Sequence, residues 1–189
     1  MKTNYKGYEI EIVEDQDPFS PREDDNLGTM VCFHGRYSLG DKHAYKQGDY
    51  SSWDELLKAI EKEEGKLIAL PLYLYDHSGI TMNTTGFTCP WDSGQVGFIY
   101  ITLEKARKEY SKKAISKSMR SKIEDSLRAE VETYDYYLTG NVWGFKILKD
   151  GEEVESCWGF LGDKDLAQKE AESVVDSILK HKEEKICQS

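Results

Sequence analysis

Asp76, His77, Cys89 and Asp92 fall within seventeen positions of one glycine-rich stretch, Tyr75 to Tyr100. Those side chains suit nucleophilic catalysis. A cysteine attacks as its thiolate, a neighbouring imidazolium favours that thiolate, and a carboxylate orients the imidazole. The chemistry implied is that of a Cys/His hydrolase or transferase. The same residues also have a structural reading. Asp-His-Ser-Gly makes a good turn, with Asp accepting backbone N–H groups and Gly supplying positive φ. Cys89, ahead of Pro90 and Trp91, serves equally as a small buried hydrophobe. Spacing without geometry leaves the structural reading ahead. The stretch matches no metal or catalytic signature with a known mechanism.

Hard-ion chemistry is suggested elsewhere. Asp15, Asp17, Glu23, Asp24 and Asp25 crowd one loop and offer oxygen ligands for Ca²⁺ or Mg²⁺. Their spacing is not that of an EF-hand, and solvated acidic loops are commoner than ion sites. The histidines (34, 43, 77 and 181) show no H-x-x-x-H spacing. The cysteines (32, 89, 157 and 187) form no C-x-x-C pair, so free thiols are expected and a structural zinc is not. The glycines match no phosphate-binding loop. No metal or cofactor is expected.

Charge is unevenly spread. The chain carries −10, yet residues 103–122 hold eight Lys or Arg and two Glu, leaving −16 for the rest. The cations are Lys105, Arg107, Lys108, Lys112, Lys113, Lys117, Arg120 and Lys122. Such a cluster suits phosphate, though a solvated helical face explains it too. Tyr110 is its one aromatic, a poor basis for a single-strand stacking platform. Residues 1–27 and 151–189 each carry −5. Acidic faces of that kind can occupy basic nucleic-acid channels by presenting carboxylates where phosphates would lie.

The elements that must position these residues read as an α+β fold. Strands are expected at Tyr8–Val13, Thr29–His34, Leu67–Tyr75, Ile80–Thr85 and Gln95–Thr102 from alternation or apolar runs. Pro71 cannot donate to a ladder, so an edge or bulge is expected there. Ser52-Trp-Asp-Glu55 fits a capping box opening a helix that Gly65 ends. Glu104–Tyr110 reads as a short helix. A longer one follows over 116–138, with Met119, Ile123, Leu127, Val131, Tyr134 and Leu138 on one stripe. Asp150-Gly151 suits a type I′ turn between Val142–Leu148 and Val154–Phe160. A last helix over 164–181 starts at an Asp163 cap, with Leu166, Ala167, Ala171, Val174, Val175 and Ile178 facing inward. Strands that follow one another directly favour a mostly antiparallel sheet carrying three to four helices. One compact domain is expected over 1–182, with a frayed tail over 183–189. The first residues lack an apolar h-region and no run approaches the roughly 20 residues of a membrane span, so a cytoplasmic location is expected.

Three blocks carry a resemblance: residues 25–43, residues 75–100, and Glu130 to Gly140 with Ser156 to Phe160. Together they resemble a family of small proteins encoded by bacteriophages, plasmids and other bacterial mobile elements. The resemblance transfers no catalytic residue. It implies a setting in which small acidic proteins inhibit host defence, anti-CRISPR and anti-restriction proteins among them. The expected function is therefore inhibition of a nucleic-acid-targeting nuclease, such as a CRISPR effector complex, in the bacterial cytoplasm. Asp15, Asp17, Glu23, Asp24 and Asp25 would meet a basic channel, with Trp91, Tyr134, Tyr136 and Tyr137 as aromatic anchors. Two alternatives stand beside it: the Cys89/His77 enzyme, and a nucleic-acid-binding accessory protein using residues 105–122.

Overall fold

In chain order the elements are β1 (Lys2–Tyr5), β2 (Tyr8–Glu14), β3 (Thr29–Cys32), α1 (Trp53–Glu64), β4 (Leu67–Asp76), β5 (Ile80–Asn83), β6 (Ser93–Thr102), α2 (Leu103–Glu109), α3 (Lys117–Leu138), β7 (Val142–Lys149), β8 (Glu152–Leu161) and α4 (Lys164–Ile186). They come from a computed structural model that describes residues 1–186. Cys187 and the last residues of the expected tail lie outside the described residues. The helix continues to Ile186, past the expected end at His181. Two antiparallel sheets with helices against them make this an α+β fold. The chain is expected to fold as one domain over 1–182; its contacts group into two compact units, a terminal unit built from Met1–Phe19 and the chain from Gly140 onward, and an inserted unit, Ser20–Thr139.

The terminal unit is a four-stranded sheet in the order β1-β2-β7-β8. Alternation in β2 sends Tyr8, Ile10 and Ile12 to one face, where they join Phe145 and Ile147 against Ala167, Ala171 and Val175 of α4. Asp163 caps α4 by accepting the Asp165 N–H at 2.9 Å. The two alanines, one turn apart, let helix and sheet approach closely. Leu166 was expected on that stripe but is 55% exposed; it lies about 100° around the helix from Ala167. Asp150 (φ 54°) and Gly151 (φ 87°) turn β7 into β8 as expected of type I′. Lys6 (φ 48°) and Gly7 (φ 81°) do the same between β1 and β2, a hairpin missed from sequence.

The inserted unit has the sheet order β3-β6-β4-β5. Helices cover both faces. Ile123, Leu127, Val131 and Tyr134 of α3 pack on Met30, Leu70, Leu72 and Ile99, while Leu56 and Ile60 of α1 pack on Val31, Phe98 and Tyr100. Two-sided burial explains the unbroken apolar run of β6, buried from Val96 to Ile101. Pro71 pairs with Phe98 of β6, whereas β5 pairs only with Tyr73–Asp76. The nitrogen without a proton therefore falls where β4 is locally an edge, next to a register shift at Leu72/Tyr73. Ser52 caps α1 by accepting the Glu55 N–H, and the Glu55 carboxylate reaches back one residue further than expected, to Ser51 N. No helix among the described residues is long and apolar enough to cross a membrane.

Candidate functional site

The Tyr75–Tyr100 stretch links β4, β5 and β6 at one end of the inserted sheet. Asp76 and Ile80 face each other across the β4–β5 hairpin, and His77, Ser78 and Gly79 form its turn. His77 N–H donates to Gly79 O at 3.0 Å, and Ser78 takes φ 58°. Asp-His-Ser-Gly forms a turn as expected, but Ser78 shares the positive φ with Gly79 and the Asp76 carboxylate is taken by side chains, not by the turn's backbone. Beyond β5, Asn83 Oδ1 accepts the N–H groups of Thr85 and Gly86, closing an Asx turn. Phe87 then packs on Tyr75, with ring centroids 5.7 Å apart. Ser93 Oγ donates to Cys89 O, and Asp76 N donates to Asp92 O at 2.8 Å, tying the loop's end to β4.

This local folding brings His77, Cys89 and Asp92 together, while the Asp76 side chain turns to other partners. His77 Nδ1 lies 3.5 Å from Asp92 Oδ2, and the Cys89 thiol donates to that same oxygen at 3.5 Å. The carboxylate, not the imidazole, stands against the sulfur. A cysteine nucleophile needs the opposite order, with the imidazole between thiol and carboxylate. The His77 side chain is also 61% exposed, where a 3.5 Å contact with a carboxylate contributes little.

Asp76 is occupied elsewhere. It forms an ion pair with Arg36 and lies 3.5 Å from His34 Nε2. His34 Nδ1 receives the backbone N–H groups of Arg36 (3.3 Å) and Tyr37 (3.2 Å), which places the ring proton on Nε2, facing the carboxylate. Both His34 nitrogens are thus used in holding the chain after β3 to the end of β4. His34 is more buried than His77, its side chain 17% exposed beside a part-buried carboxylate, and sequence reasoning does not single it out. Nothing local marks it, because Asp76 is 42 positions away.

The charged candidates divide between the units. Asp15 and Asp17 belong to the terminal unit, where Asp15 Oδ1 accepts the Asp17 N–H. Glu23, Asp24 and Asp25 belong to the inserted unit and are exposed. Among the described residues no three His, Cys, Asp or Glu side chains are grouped to hold a metal ion. Arg22, beside them, was not singled out from sequence. Its side chain is 5% exposed and makes four hydrogen bonds: two to Asp41, one to Glu130 and one to Gly28 O. Burial works against its charge, but Asp41 and then Glu130 outweigh that and hold its pKa above the ordinary value.

The aromatic anchors fare unequally. Tyr134 is buried, and its hydroxyl accepts the Gly40 N–H at 3.0 Å. It cannot be a surface anchor, a correction already implicit in its place on the apolar stripe of α3. Tyr137 stacks on it and is half-buried. Tyr136 is half-buried and donates to Glu132. Trp91 is 92% exposed. The cations Lys105, Arg107, Lys108, Lys112, Lys113, Lys117, Arg120 and Lys122 are all exposed.

The Cys32, Cys89 and Cys157 thiols are free, as expected. Burial, with the Asp41 charge in addition, pushes the Cys32 thiol up to about 12. Iodoacetamide at neutral pH is therefore expected to label exposed Cys157 and leave Cys32 untouched until the unit unfolds, which peptide mapping would read. Alkali should reveal the same shift. The unfolded thiol ionises first, so stability is intact below its ordinary pKa and is lost as pH rises toward 12. Labelling of Cys32 in the native state would contradict this.

Comparison with protein-family models, curated proteins and solved structures finds no match.

Proposed function

We propose that this chain is a mobile-element inhibitor of a nucleic-acid-targeting host nuclease, an anti-restriction or anti-CRISPR protein that works by binding. The observation carrying this reading is that the reactive side chains are spent on one another while charge is left at the surface. Asp92 takes both Cys89 and His77, and Asp76 takes Arg36 and His34. Glu23, Asp24 and Asp25 remain exposed. The terminal unit, with nine basic and sixteen acidic residues, carries −7. Carboxylates so displayed suit the basic channel through which a nuclease holds its substrate, and they accelerate encounter at low salt. Trp91 offers the large exposed aromatic surface that dominates many interfaces.

The test is inhibition of DNA cleavage by purified bacterial restriction and RNA-guided nucleases. Cys89→Ala is expected to inhibit as well as the native chain. Trp91→Ala is expected to weaken inhibition by about 2 kcal/mol, roughly thirtyfold, as truncation of an interface anchor does. Loss of inhibition in Cys89→Ala would overturn the reading in favour of the enzyme.

A further inference from the structure

We infer that the exposed surface formed by α2, the following connection and the first turns of α3 binds the phosphate backbone of nucleic acid. Eight cations stand there, and among the described residues two of them find partners. Arg120 pairs with Glu124, and Lys105 Nζ donates to Asn26 O. Arg107, Lys108, Lys112, Lys113, Lys117 and Lys122 have no side-chain partner among the described residues. Like charges crowded without partners repel one another, so intramolecular pairing does not account for them.

The surface is ordered rather than a loose basic tail. Lys112 N donates to Arg107 O and Ser111 N to Lys108 O, the paired bonds of a Schellman ending, with Ser111 at φ 50°. Tyr110 Oη lies 3.3 Å from Ser126 Oγ, holding the connection to α3. Ser116 then caps α3 by accepting the Met119 N–H. The cations are therefore mounted on fixed backbone, which lowers the ordering cost of binding.

The chemistry of the surface selects the partner. Tyr110, Ile115 and Met119 pack against the core of the inserted unit. What remains outward is charge without the apolar anchor that a protein interface needs at its centre. Six of the eight cations are lysines, point charges suited to phosphate, and residues 103–122 contain no Asn or Gln to read base edges. With Tyr110 turned inward, no aromatic platform favours single strands. The expected ligand is a nucleic-acid backbone of any sequence, bound through Coulomb attraction and counterion release. Glu104 and Glu109 temper the patch without cancelling it.

This inference stands apart from the inhibitor reading, because its test needs no nuclease. Fluorescence anisotropy would follow binding of the full chain to a labelled 20-base-pair DNA duplex and to its single strand, over a range of salt. Binding to both is expected at low salt, with log K falling against log salt at a slope of about −3 to −4, as about four phosphate contacts would give. The variant Lys108→Glu/Lys112→Glu/Lys113→Glu/Lys117→Glu should lose more than tenfold in affinity and most of the slope. The control Lys42→Glu/Lys46→Glu/Lys58→Glu/Lys62→Glu, of equal net charge, should lose far less. All eight positions are exposed, and a Lys→Gln set at the first four repeats the test should reversal disturb folding. Absence of oligonucleotide binding at low salt, equal losses in the two variants, or tighter binding of polyglutamate than of DNA would each overturn the inference.

Discussion

Arg22→Met is expected to destabilise the inserted unit by about 3–5 kcal/mol, the range for breaking a buried ion pair from one side. The guanidinium is held by both Asp41 oxygens, at 2.8 and 2.7 Å, and by Glu130 Oε2 at 3.0 Å. Methionine preserves much of the volume but leaves two carboxylates facing each other without the cation. Those carboxylates also order backbone. Glu130 Oε1 accepts Leu27 N–H at 2.7 Å, and Asp41 Oδ2 accepts Met30 N–H at 2.8 Å. The loss should therefore spread into the entry to β3. Urea unfolding gives the magnitude, and hydrogen exchange at the Leu27, Gly28 and Met30 amides locates it. Adding Glu130→Gln to Arg22→Met should cost less than the two separate losses together, because it removes a carboxylate that has already lost its partner. A loss under about 1 kcal/mol with unchanged exchange would show that the network contributes little.

The second large effect is expected at Gly97, by about 3 kcal/mol or more for Gly97→Ala, at or beyond the usual range for overpacking. A Cβ there would meet Val31 O at 1.9 Å and Cys32 Cα at 2.9 Å. Both are backbone atoms of β3, so relief requires the strands to separate where Cys32 pairs with Gly97. Gly144→Ala is the useful contrast. Its Cβ would meet Trp158 at 2.3 Å, but that indole is on a 45% exposed residue of the outermost strand and can swing outward. About 1 kcal/mol is expected there. Thermal melts of both variants decide the matter, and equal losses would contradict it.

Features written within a few residues were legible before the structure. Ser52 marked the start of α1, Asp150-Gly151 marked the last hairpin, and the stripe from Met119 to Leu138 marked α3. Pro71 even marked where β4 lacks a neighbour. What escaped was long-range or locally atypical. Lys6-Gly7 makes a hairpin turn with a residue that rarely takes positive φ. The terminal sheet depends on β2 pairing with β7, Glu9 opposite Leu148, across the whole inserted unit. No local pattern announces such a pairing. The Arg22 network is hidden for the same reason, its partners lying 19 and 108 positions away. At the candidate site the residue types were legible and their order was not. Only geometry distinguishes an imidazole beside a thiol from a carboxylate beside a thiol.

Stoichiometry and salt dependence of nuclease inhibition bear most directly on the central claim that this protein acts by charged binding and not by turnover. DNA cleavage by purified restriction and RNA-guided nucleases would be titrated with the chain, from roughly 50 mM to roughly 500 mM salt. The predicted result is inhibition that saturates near one chain per nuclease complex, weakens steeply as salt rises, and is unchanged in Cys89→Ala. Inhibition that grows with time at substoichiometric amounts, or no inhibition of any nuclease tested, would contradict it.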